Sequence, residues 1–560
     1  MGFSRYIGLA AFAVVAVAAP VAGQAQPADF AARADAIVAA SYPADQPGAA
    51  VIVTRGGRTI YARGRGLADL ESGRAITPDT VFRLGSITKQ FTAAIVLQLV
   101  SEGKISLDDP VSRFFPDFPQ PGATATVRQL LNHTSGIQSY TAIPGWMMSE
   151  ANTGRPHTTA EMIALFRDLP APGRPGEAWA YNNSGYVLLG AIIEQVTGRP
   201  WHQEVERRIV RPLGLATIAY GVDRETGPAM ARGYTASEDG AAPARALHMS
   251  VPHAAGALIG TVGDLARWAN ALHHGRVVPP ALYAQMISPT PLPGGNSHPY
   301  GFGLGTTDIR GRPAVGHSGG IFGFSTDSVY VPSEDVFVAV FANSDEPATG
   351  PGLVVRRLAA AAIGDPFEEF TAVPLEPAQV EPLLGVYQVE GAPGRRFFMR
   401  DGKLFTQRDD GLELEAFPAG NDRFFYGPNS LTWFRLVRQA DGAHVMEMHQ
   451  NGERTAERAV RTGPVPPEAP PVAVDRSVLE SYVGDYTTPG PVATVALTEA
   501  GHLTIQLSGQ PAIGMRSISA TEFRVEQVNA RVVFHSEGGQ VTGLTIHQGG
   551  QQLPGRRTGR

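Results

Sequence analysis

Ser86 and Lys89 stand three residues apart, and three residues along an α-helix return to the same face. Serine becomes a nucleophile when a base takes its proton, and a lysine that has lost its own proton can be that base. The flanking residues predict the setting such a pair needs. A strand-like segment, Thr80 to Leu84, turns through Gly85 into the apolar helical run Ile87 to Val100. The start of a helix favours an alkoxide and disfavours an ammonium, and burial adds to the second effect. Of the 46 Lys+Arg residues only Lys89, Lys104 and Lys403 are lysines. Arginine keeps its proton in proteins, so a chain that writes positive charge as arginine has a chemical reason to place a lysine here.

Two further clusters carry chemistry. Tyr181-Asn182-Asn183 follows Pro175-Gly176 and leads into a helix at Ser184. A phenol beside a lysine can carry a proton, because positive neighbours favour the phenolate, and Asn183 can orient Lys89 or bind a substrate amide. His317-Ser318-Gly319-Gly320 ends a predicted strand. Its glycines let a substrate backbone lie along the strand edge, and the Gly320 N–H can face a reacting carbonyl oxygen. Each cluster also has a plainer reading. Ser86 can be a helix N-cap with an exposed lysine one turn on, Tyr181 a loop anchor, and His317 a packed histidine before a Gly-rich turn. Spacing alone decides nothing, because Ser101-Glu102-Gly103-Lys104 repeats it at a Gly-broken helix end, where a solvated pair is expected.

One motif competes for the same residues. Gly316-His317-Ser318-Gly319-Gly320 also spells G-x-S-x-G, the nucleophile turn of α/β-hydrolases, with Ser318 as nucleophile. That turn needs a strand, a sharp bend and a helix, with acid and histidine later in the chain. Here glycines lead into two more strands, so this reading ranks second. Neither a metal site nor a cofactor is expected. There is no cysteine and no H-E-x-x-H, adjacent His273-His274 on a helix point in different directions, and no Gly-Lys-Ser/Thr follows Gly319-Gly320.

The elements that must position these residues can be read along the chain. Its 560 residues, 43% apolar and 18% charged, exceed what one core supports, so several globular domains are expected. A net charge of −6 without a basic block argues against nucleic acid. Arg5, the apolar run Ile7 to Ala19 and small Gly23 and Ala25 predict a signal peptide over 1–25, cleaved before Gln26. The run is short for a membrane span, so a periplasmic or secreted protein without stable membrane insertion is expected. A hydrolase domain follows over 26–366, with a helix at Phe30 to Ala40 and a hairpin of Ala50 to Thr54 and Thr59 to Arg63 turning at Gly56-Gly57. Strands return near Val315, at Thr326 to Val331 and at Val336 to Ala342, before a helix at Leu353 to Ile363. This predicts an α/β (α+β) domain whose antiparallel sheet is assembled from distant parts of the chain.

Beyond 370 the sequence repeats. Val380 to Tyr387 (VEPLLGVY) matches Leu479 to Tyr486 (LESYVGDY) at a shift of 99 residues. Asp401 to Leu404 matches Ala500 to Leu503, and His449 to Gly452 matches His547 to Gly550, in nearly the same register. Two small antiparallel β-barrels are expected at 370–462 and 475–560, joined by a Pro-rich linker at 463–474. They show no nucleophile–base pair, so they are expected to wall the cleft rather than react. A non-catalytic protein that binds ligand through its barrels is a further reading.

As a set, S-x-x-K, Y-x-N and H-x-G resemble the serine β-lactamase and penicillin-binding protein superfamily, on the class C side. The surrounding VFRLGSITK (Val81 to Lys89), VRQLLNHTSGI (Val127 to Ile137), YNNSGY (Tyr181 to Tyr186) and YGFGL (Tyr300 to Leu304) agree, over about residues 30–365. The resemblance implies Ser86 as nucleophile, Lys89 and Tyr181 as general acid/base, and substrate contacts from Asn183, Gly319 and Gly320. It also implies an oxyanion hole formed by the N–H groups of Ser86 and Gly320. His317 departs from the usual lysine, which puts β-lactamase or D,D-peptidase activity in doubt, since histidine is mostly neutral at pH 7. Histidine there, with two barrels following, resembles the D-stereospecific aminopeptidase and esterase branch. The implied partner is a small-molecule or short-peptide substrate.

Overall fold

Gly56 and Gly57 both adopt positive φ (57° and 70°), the backbone a tight hairpin turn requires. They join β1 (Ala49–Arg55) to β2 (Arg58–Arg65). The structure, a computed structural model, describes residues 29–559 except 225–226, 228, 238–239, 392–393, 409–410, 467–471, 489–491, 508–509, 526–527, 529 and 549–550. The expected signal segment and residues 467–471 of the expected linker therefore lie outside the described residues, as do Gly549 and Gly550 of the last repeat match.

The late strands close on this hairpin. They are β3 (Gly305–Ile309), β4 (Arg312–Ile321), β5 (Phe324–Val331) and β6 (Val336–Ala342). The sheet order is β3-β4-β5-β6-β1-β2, antiparallel throughout, with Ala342 paired to Ala49. The sheet thus joins the two ends of the domain, as the sequence predicts. β6, Val-Phe-Val-Ala-Val-Phe-Ala, is buried at every position because both of its faces are covered. Val336, Val338 and Val340 pack with α1 (Phe30–Ser41) and α6 (Pro351–Ala362). Phe337, Ala339 and Phe341 pack on the other face with α2 (Thr88–Ser101), α3 (Asn183–Thr197) and α5 (Val262–His273). Each of these Val and Phe side chains contributes about 1.5–3 kcal/mol on burial.

α2 is the central helix. Every residue from Thr88 to Leu97 is buried, the environment an all-round apolar helix requires. A four-residue helix, α4 (His253–Gly256), lies against it. Thr92 Oγ1 donates to the Ala254 carbonyl at 2.7 Å, and the Leu258 N–H donates to Thr88 Oγ1 at 3.1 Å.

The repeats are barrels. Eight strands from Gly385–Val389 to Glu457–Gly463 close through pairing of the first with the last. Nine more, from Gly484–Thr487 to Gln551–Gly559, form a nearly closed sheet whose end strands, Ile513–Gly514 and Arg516–Ser517, are neighbours in sequence. The repeat register is structural. Tyr387 and Tyr486, matched residues with no exposed surface, donate their hydroxyls to the carbonyls four residues earlier, Leu383 at 2.5 Å and Tyr482 at 2.7 Å.

The first barrel docks on the α6 side of the sheet. Arg310, in the β3–β4 turn, is buried against Asp365 and Glu368, both at 3.3 Å, and donates to the Gly452 carbonyl. Arg454 pairs with Asp365, and Arg357 donates to the Pro428 carbonyl at 2.6 Å. Among the described residues no helix is long and apolar enough to cross a membrane.

Candidate active site

Gly85 (φ 54°) opens a 3₁₀ turn, Gly85–Ile87, that delivers Ser86 to the start of α2. One turn on, Lys89 has no exposed surface. Its Nζ lies 2.8 Å from Asn183 Oδ1, 2.9 Å from the Ala255 carbonyl of α4 and 3.1 Å from Ser86 Oγ. Burial holds its pKa well below the usual lysine range. A neutral amine has two N–H bonds and one lone pair. Asn183 Oδ1 and the Ala255 carbonyl can only accept, so they take the two N–H bonds. The lone pair is left facing the one partner that can donate, the Ser86 hydroxyl. The geometry is that of a base aimed at a nucleophile.

Tyr181 also interacts with Ser86 through its hydroxyl, and Lys89 Nζ lies 4.7 Å from the centre of its ring. Burial raises the Tyr181 pKa. This corrects the expectation of a favoured phenolate: neutral Lys89 supplies no positive charge, so Tyr181 rests as a phenol with a proton to give. The residue is 38% exposed, open to an incoming substrate.

Asn183 is committed to Lys89. Its Oδ1 faces Nζ and its Nδ2 donates to Thr141 Oγ1 at 3.2 Å, so of the two roles open in the sequence the structure shows the orienting one. Gly319 also differs from expectation. A Cβ there would lie 2.2 Å from the Leu84 carbonyl oxygen, so its missing side chain lets β4 touch the nucleophile turn rather than a substrate. Gly85 approaches from the opposite direction, its Cβ position 3.2 Å from the Gly320 nitrogen. Gly320 itself faces open space.

The register of β4 fixes what its free edge offers. Ile321 pairs with Phe324 across the two-residue turn Phe322-Gly323, which makes that pair the hydrogen-bonded one. Pairs then alternate, so the backbone groups of Gly320 and Ser318 turn away from β5. β3 covers β4 only as far as Gly316, opposite Gly305, and so leaves the Gly320 backbone uncovered on that side.

His317 and Ser318 fall on opposite faces of β4. Ser318 pairs with Asp327 and shares the α6 face with Val329, away from Ser86. The chain runs on as strand through Ser318, so no nucleophile elbow forms and that reading fails. His317 is buried on the α2 side, its ring centre 6.2 Å from that of Tyr181. Its Nδ1 contacts the Ser318 carbonyl, which can only accept, so Nδ1 carries the proton. Nε2 then accepts from the Tyr300 hydroxyl at 2.8 Å. Burial pulls the His317 pKa down to about 3, so the ring is neutral.

The second S-x-x-K copy is a surface feature, with Lys104 exposed and paired to Glu102 at 2.8 Å. Sequence reasoning missed the Ala255 carbonyl, because a backbone acceptor has no residue-type signal. It also gave no role to Tyr300 or to buried His133, whose ring lies 4.4 Å from Tyr181 and 4.7 Å from Tyr300, although both sit in quoted motifs. No cluster fit to hold a metal occurs among the described residues.

The beta-lactamase family model matches residues 34–362. The chain is 27% identical over 440 residues to penicillin-binding protein 4* of Bacillus subtilis, covering 74% of this chain and 94% of that protein. It is 29% identical over 437 residues to a D-aminopeptidase of Gluconobacter oxydans, covering 76% of each. Among solved structures, a D-amino acid amidase of Ochrobactrum anthropi complexed with D-phenylalanine superposes with a TM-score of 0.53 at 28% identity. That match covers 60% of this chain and 99% of that one.

Proposed function

The chain belongs to the beta-lactamase family and is a serine hydrolase, and from that premise we propose that it cleaves D-amino-acid amides, short peptides or small esters through an acyl-enzyme on Ser86. Lys89 accepts the Ser86 proton as Oγ attacks the substrate carbonyl. The Ser86 and Gly320 N–H groups stabilise the oxyanion, and Tyr181 passes its phenolic proton to the leaving group and is reprotonated through Lys89. A water then repeats the sequence on the ester.

Neutral His317 carries the substrate reading. With one ring nitrogen on the Ser318 carbonyl and the other on the Tyr300 hydroxyl, it offers no positive charge to a substrate carboxylate. A charge-assisted hydrogen bond is worth about 1.5–3 kcal/mol, so substrates ending in a carboxylate forgo roughly one to two decades of affinity. The D-aminopeptidase and D-amino acid amidase likenesses support the same reading. Export belongs to the proposal too: residues 1–25 read as a signal, and the mature chain would begin at Gln26 in a periplasm or outside the cell.

The test compares kcat/KM at pH 7 and 8 for D- and L-amino-acid amides, p-nitrophenyl esters, benzylpenicillin and a D-Ala-D-Ala peptide. D-amides or esters should lead by at least roughly tenfold. Benzylpenicillin or D-Ala-D-Ala as best substrate would favour the relationship to penicillin-binding protein 4* and overturn the reading of His317.

A further inference from the structure

A cavity of about 390 Å³ opens off the Ser86 cleft at Tyr181, Tyr300 and His317. It reaches both faces of the sheet. His317 is on the α2 face, whereas Ser318 and Asp327, also in its wall, are on the α6 face. The cavity runs past the end of β3, at the paired glycines Gly305 and Gly316. Beyond them the wall is Asp327 of β5 and Arg356 of α6.

The inner end holds one carboxyl, Asp327, and one guanidinium, Arg356. Arg356 donates to Thr307 Oγ1 at 3.4 Å and to the Asp308 carbonyl at 3.1 Å. Three carboxylates act on it, those of Asp308, Asp327 and Glu453, the last contributed by the first barrel. Asp327 is the least satisfied: Arg356 and the Ser328 N–H offset only part of its burial, which pushes its carboxyl up to about 7. The Tyr42 phenol, at the end of α1, is the other titratable group that acts with it. Asp327 also faces the start of α6, where a Cβ on Gly352 would lie 2.8 Å from its Oδ2. A helix N-terminus explains why a carboxylate is tolerated there, but not the hollow beside it.

We propose that this cavity is a substrate subsite for a primary ammonium group, with Asp327 as its counter-ion. The inference rests on the Ser86 reading above and deepens it: preferred substrates carry a positive group on the part that lies along β4 toward His317. Such a group gains a charge-assisted hydrogen bond to a carboxylate that lacks a full partner. The Tyr181 and Tyr300 rings at the mouth favour a cation's passage. An ionised Asp327 also disfavours a substrate carboxylate, in keeping with neutral His317.

The experiment uses the full-length protein at pH 8 and two amide series. In one the acyl part ends in an ammonium or an uncharged group of the same size, and in the other the leaving amine does. The readout is the ratio of kcat/KM within each pair. A ratio of about tenfold or more in either series is expected, falling below about twofold in Asp327→Asn. Thr307→Lys, which brings the chain's own ammonium to the cavity from an exposed position, should collapse the ratio in the same way. A ratio near one in both series, or one that survives both substitutions, overturns the subsite. Failure of a fluorophosphonate to label Ser86 is a separate result, and it would remove the underlying reading together with the subsite.

Discussion

Asn183 Oδ1 accepts a 2.8 Å hydrogen bond from Lys89 Nζ although 94 residues separate the two in the chain. The contact leaves the charge state of Lys89 to burial, which favours the neutral amine, because an amide oxygen accepts from either form. Asn183→Asp replaces it with a carboxylate and should raise the Lys89 pKa by about 1–3 units. The acidic limb of the kcat/KM profile then moves to higher pH by the same amount, so activity on that limb falls about tenfold per unit of the rise and recovers as pH increases. A limb that stays in place would show that Lys89 is not the base.

Lys89 itself should leave a mark on stability. Its folded pKa is depressed, so between that value and the unfolded value near 10.4 the unfolded chain binds one more proton. Stability therefore rises with pH across this window, by up to about 1.4 kcal/mol per unit, and Lys89→Met should remove that slope. Lys89→Arg should be as inactive as the methionine variant, because a guanidinium keeps its proton. Urea unfolding at several pH values and a rate assay check both.

Two adjacent glycines should behave oppositely. Gly319→Ala drives a methyl to within 2.2 Å of the Leu84 carbonyl oxygen, so β4 must move off the nucleophile turn. Roughly 100-fold or more of kcat is expected to go, the scale of losing an oxyanion donor. Gly320→Ala meets nothing within 4 Å and should stay within about threefold of wild type. Equal losses in both would separate the oxyanion hole from this strand contact.

Ser86→Ala should abolish turnover and fluorophosphonate labelling, while Ser318→Ala should keep most of both. Ser318 points to the α6 face and supplies only its carbonyl, which any residue provides. Mass spectrometry of the labelled peptide reads the outcome directly, and a label on Ser318 would contradict the strand register.

The local features of this protein follow from its sequence because their causes are local. An apolar run that needs burial all round gives α2, paired glycines at positive φ turn the β1–β2 hairpin, and two matched repeats, each with a buried tyrosine, give two barrels. The choice of Ser86-x-x-Lys89 over Ser101-x-x-Lys104 is partly legible too, since only the first opens an apolar helix. The surroundings of Lys89 and Tyr181 come from neighbours far away in the chain. The Ala255 carbonyl takes one lysine N–H through a backbone atom that no residue type announces. The side of β4 on which Ser318 falls depends on pairing with Asp327, and strand register flips every side chain when it slips by one. The roles of Gly319 and His317 likewise wait on Leu84 and Tyr300, because close approach and hydrogen bonding are properties of the packed chain.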